Sequence, residues 1–344
     1  MFTKITVGID VAKKELVTCI IGLTHEFETL ILGRKKFDNS PEGISSLYRW
    51  ALKLAADGPA PEFVMEATGV YHIALANYVA DKSACAGVIL PNKISNYMRT
   101  LVLKTINDDT SSECIAEYGV RHKITPWVKP DEDLLGLRDL MRERQACIDQ
   151  RTIAKNQLHA AKIAHGKESS KVNRLQNQIK LFNEQIKEIE TEARKLVKEN
   201  PFLHKKVKNV ITIPGVSYTT AYTIIGETLG FNMVKSSRQL VSFAGLDIKT
   251  KESGTSVRGK ERISKKGNKH IRKALYFPAF TAVKHNPDMS ELYQRLVSKQ
   301  GIRMKAAVAV QRKVLVLIYA IWKSDQPFDQ GYELTKAKKS GAHC

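Results

Sequence analysis

Between Val172 and Leu196 apolar side chains recur at Val172, Leu175, Ile179, Phe182, Ile186, Ile189, Ala193 and Leu196, at spacings of 3, 4, 3, 4, 3, 4 and 3. A 3.5-residue period keeps one stripe facing a partner helix, so these three and a half or so heptads read as the inner seam of a coiled coil. The surrounding stretch, 131–200, is nearly free of glycine, dense in charge of both signs, and broken at His165-Gly166. Its first half carries a looser stripe of Leu134, Leu137, Met141 and Ile148, interrupted by Arg144 and Arg151. The pattern predicts a long antiparallel helical hairpin turning near Gly166. We read 129–202 as a coiled-coil dimerisation arm whose seam calls for a partner and whose charges form a solvated exterior.

The arm divides two regions of different character. In residues 1–128, Ile5, Val7 and Ile9 alternate toward one face and Leu16, Thr18 and Ile20 repeat the pattern, predicting two strands, with a third over 28–32. Ser40-Pro41-Glu42 starts a helix to about Ala56. An apolar strand at 63–66, a Gly69 turn, a helix over 71–81, a strand at 87–90 ending at Pro91 and a helix over 108–118 follow. Three strands, then helix–strand–helix–strand–helix, is by analogy the order of ribonuclease-H-like α/β domains. Residues 203–332 read as a mostly helical, basic domain, and 333–344 as a basic tail.

Charge narrows the partners. Lys and Arg number 55 against 35 Asp and Glu, a formal charge of +20, which points to a polyanion. The cations crowd between Lys249 and Lys273, where only Glu252 and Glu261 are acidic. Arg258, Lys265, Lys266, Lys269 and Arg272 are therefore candidate contacts to a nucleic-acid backbone. Ile213-Pro214-Gly215-Val216, followed by Thr219-Thr220-Ala221, resembles a helix-hairpin-helix turn, in which Gly215 would let helix N–H groups meet a phosphate. No uncharged apolar run approaches the ~18 residues a bilayer requires, so no membrane partner is expected. Phe2 to Ile9 runs into Asp10 too soon for a signal peptide. Five scattered cysteines without a C-x-x-C pair argue against disulfides or zinc, and a bacterial cytoplasmic setting is expected.

Chemistry would sit where strand ends gather carboxylates. Asp10 closes the first strand, Glu66 a later one, and Asp108 and Asp109 open a helix. Such acids repel unless a hard cation joins them; Mg²⁺ suits oxygen ligands, and two ions about 4 Å apart serve phosphodiester transfer. Taken singly each acid reads as a turn former or helix cap. The Gly8-Ile9-Asp10 opening also occurs in actin-like nucleotide-binding proteins, but about 125 residues are too few for their two lobes. The loop Glu252-Ser253-Gly254-Thr255-Ser256-Val257-Arg258-Gly259 reads as a phosphate contact, with attack by Ser253 on phosphorus the sharper alternative. The nine histidines show no metal-ligand spacing and read as structural.

Gly8-Ile9-Asp10-Val11-Ala12-Lys13, Glu66-Ala67-Thr68-Gly69-Val70-Tyr71, Ile213-Pro214-Gly215, Phe243-Ala244-Gly245-Leu246, the Ser253 loop, Ile263-Ser264-Lys265-Lys266-Gly267-Asn268 and Arg272-Lys273-Ala274-Leu275-Tyr276 stand in this order. In that order and nearly end to end, the chain resembles the DEDD transposases of the IS110 family of bacterial insertion sequences. The resemblance implies a RuvC-like catalytic domain holding Mg²⁺ through Asp10, Glu66 and Asp108. It implies Ser253 as nucleophile in a covalent protein–DNA intermediate, and an element-encoded bridge RNA that pairs with double-stranded donor and target DNA. It further implies homodimers, with half-sites from different subunits, that pair into tetramers on nucleoid DNA. The family's fourth acid falls at Ser111. The fourth ligand stays open: Asp109 as a substitute, which requires the helix to start after it, Ser111 through a metal-bound water, or none, in a weakly active or disabled copy. Two rivals stand beside this reading: a ribonuclease-H-type nuclease using metal-activated water, and a non-catalytic nucleic-acid-binding protein.

Overall fold

Three ten-residue strands open the chain as an antiparallel meander: β1 (Phe2–Val11), β2 (Glu15–Thr24) and β3 (Thr29–Asp38). The computed structural model describes residues 2–101, 107–165, 169–232, 234–249, 252–253, 257–258 and 262–330. Ser40 caps α1 (Pro41–Leu54) by accepting from the Gly43 N–H, and Pro41 sits in the first turn, where its missing N–H costs nothing. Next come β4 (Glu62–Glu66), α2 (Ile73–Asp81), β5 (Ala86–Ile89), α3 (Pro91–Thr100) and α4 (Asp108–Arg121). The sheet order is β3-β2-β1-β4-β5, with β4 parallel to β1 and β5 parallel to β4. This is the ribonuclease-H-like order expected. Two elements differ from the expectation: β3 continues to Asp38, and Pro91 opens α3, the first-turn use of proline, rather than merely ending a strand.

Period two gives β1 two different faces. Ile5, Val7, Ile9 and Val11 pack with Leu47 and Ala51 of α1 and Leu75 and Ala76 of α2. Thr6, Gly8 and Asp10 point to the opposite face, toward α4. The unit so formed spans Met1–Lys129.

The second unit runs from Pro130 to the C-terminus. α5 (Glu132–His165) and α6 (Ser170–Glu199) form the expected antiparallel hairpin. At one end Val172 and Leu175 pack on Leu158 and Ala161; at the other Ala193 and Val197 pack with Leu134, Leu137 and Met141. The heptad seam therefore finds its partner in α5 of the same chain and does not itself call for a second copy. Arg144 and Arg151, which break the α5 stripe, reach across the seam. Arg144 Nε donates to Glu190 Oε1 (2.7 Å) and Arg151 Nη1 to Asn183 Oδ1 (2.8 Å), pairs that fix helix register.

The stem of the hairpin is not a separate domain. Leu134, Leu137, Met141, Ala193 and Val197 share one core with α7 (Pro201–Val210), α8 (Tyr218–Glu227), α9 (Ser237–Phe243) and later helices. Four two-residue strands follow: β6 (Ile248–Lys249), β7 (Glu252–Ser253), β8 (Val257–Arg258) and β9 (Arg262–Ile263). The helices α10 (Lys269–Ala274), α11 (Tyr276–His285), α12 (Pro287–Gln300) and α13 (Arg303–Ser324) complete the unit. Among the described residues no helix is long and apolar enough to cross a membrane.

One buried carboxylate joins three of these elements. The Glu227 side chain is 1% exposed at the end of α8. It accepts from Arg142 Nε (2.7 Å) and Nη2 (2.8 Å) on α5, and from Asn268 Nδ2 (2.6 Å) just before α10. Burial pushes the carboxyl up, but the bonds from Arg142 and Asn268 outweigh it and hold it below its ordinary value. A carboxyl with a depressed folded pKa stabilises the fold above its unfolded pKa, and that stability is lost as pH falls through the folded one. Glu227→Gln is expected to cost about 2 kcal/mol near neutral pH, because Arg142 and Asn268 lose a charged acceptor. The gap from the parent chain should close toward acid, as urea unfolding at a series of pH values will measure.

Candidate active site

α4 lies on β1 at backbone distance. A Cβ placed on Gly8 would stand 2.2 Å from Ala116 N and 2.2 Å from Ser112 O, and one on Gly119 would stand 2.2 Å from Thr6 Cγ2. The helix runs opposite to the strand, since Gly119 meets Thr6 while Ala116 and Ser112 meet Gly8. Its next turn, opened by Asp108, is thereby delivered to Asp10. Asn107 fixes that turn with a capping box: its side chain accepts from the Thr110 N–H (2.9 Å), and Thr110 Oγ1 accepts from the Asn107 N–H (2.9 Å).

Glu66 arrives by strand register. β1 and β4 pair in parallel through Ile9↔Met65, so Asp10 and Glu66 follow as neighbouring strand ends, ~4.8 Å apart at ordinary sheet spacing. Both share the face on which Val64 packs against Ile115 of α4. The electrostatics report the same convergence. Burial raises the pKa of Asp10, the Asp108 carboxylate raises it further, and the Val11 N–H partly offsets both. Burial and then Asp10 raise Glu66. Asp10 thus stands between two like charges, an arrangement that a cation would relieve. The donor set is all oxygen and fits a hard divalent ion such as Mg²⁺. Among the described residues, however, no three His, Cys, Asp or Glu side chains stand close enough to share one ion as they lie.

The condition set for Asp109 is not met. α4 begins at Asp108, so Asp109 is already helical and points about 100° away from it. Its charge acts on β2 instead: burial pushes the Cys19 thiol up to about 11, and Glu113 and Asp109 add to the rise. Ser111, three residues on from Asp108, is the residue on its side of the helix.

Sequence reasoning assigned no role to Asn39. Its Nδ2 donates to Ala12 O (2.9 Å) and Tyr71 O (3.3 Å), and its N–H donates to Lys14 O (2.8 Å). It ties the turn after Asp10 to the loop after Glu66. No periodicity could have flagged it, because the contacts join three loops.

Ser253 lies on a ribbon in the second unit. β7 pairs with β8, setting Ser253 opposite Val257 and Glu252 opposite Arg258, and β6 pairs with β9 below. The side chains of Ser253 and Arg258, and the loop residues 254–256, lie outside the described residues. The ribbon's base explains two further motifs. Ser264 Oγ donates to Asp247 Oδ1 (2.6 Å), and the Lys265 and Asn268 N–H groups donate to Gly245 O (3.1 Å) and Phe243 O (2.7 Å). Gly245 holds φ +66°, and a Cβ on Gly267 would fall 2.5 Å from Phe243 O. Residues 243–247 and 264–268 are therefore two sides of one close-packed turn.

Lys265, Lys266 and Lys269 are exposed beside this base, as a backbone contact requires. Arg272 departs from the expectation. Its Nη1 donates to Ala244 O (2.8 Å) and Gly267 O (3.1 Å), so this edge of the guanidinium closes the turn instead of facing a phosphate. Gly215 also has a packing role: with φ +92°, a Cβ there would meet Pro278 O and Ala282 N of α11 at 2.9 Å. The donors it was expected to free at the start of α8 are partly taken, since Ser217 Oγ accepts from the Thr220 N–H (3.2 Å).

Residues 7–161 match a family of transposases of the DEDD IS110 type, and residues 207–294 match the Transposase IS116/IS110/IS902 family. The Pilin gene-inverting protein of Moraxella lacunata is 24% identical over 95% of this chain and 98% of its own length. The transposase for insertion sequence element IS1111A of Coxiella burnetii is 29% identical over 43% of this chain and 40% of its own length. Thermus thermophilus RuvC, solved with a Holliday junction substrate, aligns with 36% of this chain and 99% of its own at 9% identity and a TM-score of 0.28. At that score the fold assignment rests on this chain's own strand order.

The contact at Gly8 is open to a direct test. Gly8→Ala drives a methyl into helix backbone that cannot move aside, and is expected to cost about 3 kcal/mol or more. In Gly33→Ala the methyl meets only the side chains of Leu54 and Trp50, which can shift, so the loss should be much smaller. Chemical unfolding of the two variants side by side measures the difference.

Proposed function

The chain belongs to the IS110 transposase family, and on that premise we propose that it is a Mg²⁺-dependent DNA recombinase that cuts and rejoins donor and target strands through a covalent Ser253–DNA intermediate. The observation that carries this reading is the convergence of Asp10 and Glu66, on neighbouring strand ends, with Asp108 at the start of the helix that covers them: Asp108 raises the pKa of Asp10, and Asp10 that of Glu66. Supporting it is the name of a relative aligned nearly end to end, a gene-inverting protein. Inverting a DNA segment requires strands to be rejoined as well as cut, and a covalent intermediate conserves the phosphoester bond between the two steps.

In this reading Asp10, Glu66 and Asp108 hold the metal, with Ser111 orienting a water at the place of the family's fourth acid. Mg²⁺ bound there would polarise the scissile phosphate and stabilise charge on its oxygens. Ser253 Oγ attacks phosphorus: the Oγ–P bond forms, one backbone P–O bond breaks, the serine gives up its proton and the displaced sugar oxygen gains one. Rejoining reverses this, as a sugar hydroxyl of the new strand displaces the serine. Lys265, Lys266, Lys269 and Arg258 neutralise backbone phosphates. An element-encoded RNA pairs with donor and target and so selects the sequences, a division of labour known from guide-directed nucleases. Acid site and serine come from different subunits of a dimer, and dimers pair on DNA.

A trapping assay tests the reading, with purified protein, labelled donor and target DNA, Mg²⁺ and RNA transcribed from the element's flanking sequence. A denaturing gel should show a labelled protein–DNA adduct. Ser253→Ala should abolish the adduct and lower strand exchange by more than about a thousandfold, while DNA and RNA binding persist. Asp10→Asn, or chelation of Mg²⁺, should do the same. Free cut ends without adduct would replace the serine with metal-activated water, and tight binding without cleavage would favour a binding protein. Ser111→Asp should raise the rate, because it restores a direct oxygen ligand one turn from Asp108.

A further inference from the structure

α10 and α11 read as one rod. Leu275 between them is in the helical region (φ −85°, ψ −9°), its N–H bonds to Ile271 O, and the Ala279 N–H bonds to Leu275 O. One side of the rod is core: Ile271, Leu275, Ala279 and Ala282 are buried. The other side presents Lys269, Lys273, Phe277, Phe280 and Lys284, spaced 4, 4, 3 and 4 on one helical face, with Tyr276 beside them.

The aromatic part of this face is exposed to an unusual degree. Phe277 is 76% exposed, Tyr276 39% and Phe280 38%. The three rings nevertheless touch: Tyr276 lies 5.2 Å from Phe277 and 5.3 Å from Phe280, edge to face. A contiguous exposed aromatic cluster marks a binding surface. Its surroundings select the ligand. From 262 to 287 the chain has seven Lys or Arg and no Asp or Glu. Lys273 pairs with Asp149 of α5 at 2.5 Å, but both are half-exposed, and such a pair is weak enough for a phosphate to displace.

We propose that the Tyr276–Phe277–Phe280 face, flanked by Lys269 and Lys284, is a stacking platform for the unpaired bases of a nucleic-acid strand. A cluster of rings with cations at both ends matches a strand that offers π-faces along a phosphate backbone. A duplex hides its base faces in its own stack, so the platform distinguishes unpaired from paired segments. The choice of nucleic acid as ligand rests on the recombinase reading. Binding is measured without divalent metal, so loss of cleavage chemistry and loss of the platform give different results.

The experiment is fluorescence anisotropy in EDTA with the full chain and dye-labelled oligo(dT), oligo(U) and a duplex of about 20 nucleotides. The double variant F277A/F280A removes exposed rings and should keep the parent's circular dichroism and melting temperature. It is expected to bind a single strand about tenfold or more weakly, with duplex affinity and salt slope unchanged. A larger loss on oligo(U) assigns the strand as RNA, and on oligo(dT) as DNA. Phe277→Trp should retain single-strand binding, and its indole fluorescence should be quenched on titration. Unchanged single-strand affinity, or an equal loss on the duplex, overturns the proposal. So does a fall in molecular mass by sedimentation equilibrium, which would make the face a contact between copies of the chain.

Discussion

The contact between Gly8 and α4 is the constraint on which the acidic site depends. Because Gly8 has no side chain, the helix backbone settles on the strand at Ser112 and Ala116, and Gly119 repeats the approach at Thr6. A helix seated by its backbone at Gly8 has little freedom to slide, since strand backbone there is held by the sheet's pairing with β2 and β4. That rigidity places the first turn of α4 against the end of β1. The same turn suits acidic residues, because unpaired N–H groups and the helix dipole favour negative charge there. Asp108 can therefore be held near Asp10 although the two carboxylates repel.

Repulsion is then the working property of the site. Asp10 and Glu66 are both pushed toward protonation, by burial first and then by a neighbouring carboxylate, Asp108 for Asp10 and Asp10 for Glu66. Asn39 ties together the loops that follow the two strands by donating to main-chain oxygens on both, Ala12 O and Tyr71 O, which resists separation of the strand ends that carry the acids. Like charges held close in a fixed place are the kind of arrangement that a bound cation would relieve.

The second unit solves a different problem, supporting a narrow ribbon that carries Ser253. Its base is a turn closed by Gly245 and Gly267, and Arg272 spends part of its guanidinium on that closure. Asn268 extends the support, capping α10 while it donates to Glu227, which in turn is gripped by Arg142 of the arm. Lys265, Lys266 and Lys269 remain exposed at this base, as does Arg262 on β9. The division between structural and available charge could not be read from a stretch in which every residue is simply basic.

The amino-acid order alone determined what depends on local period and on residue type. Alternation marked β1 and β2, the Ser40-Pro41 cap marked α1, the heptad seam marked a helical hairpin, and acids at two strand ends and a helix start marked Asp10, Glu66 and Asp108 as candidates. Tertiary structure decided what depends on which surfaces meet. It gave the seam to α5 instead of to a second copy, because the stem shares a core with α7 and α8. It turned Asp109 toward Cys19, because the cap at Asn107 starts the helix at Asp108, two residues too early for a substitute ligand. Asn39 joined distant loops, Arg272 and Gly215 went to packing, and Pro91 opened a helix. Local pattern is set by neighbours within a few residues, whereas a side chain's partner is set by close packing among elements far apart in the chain.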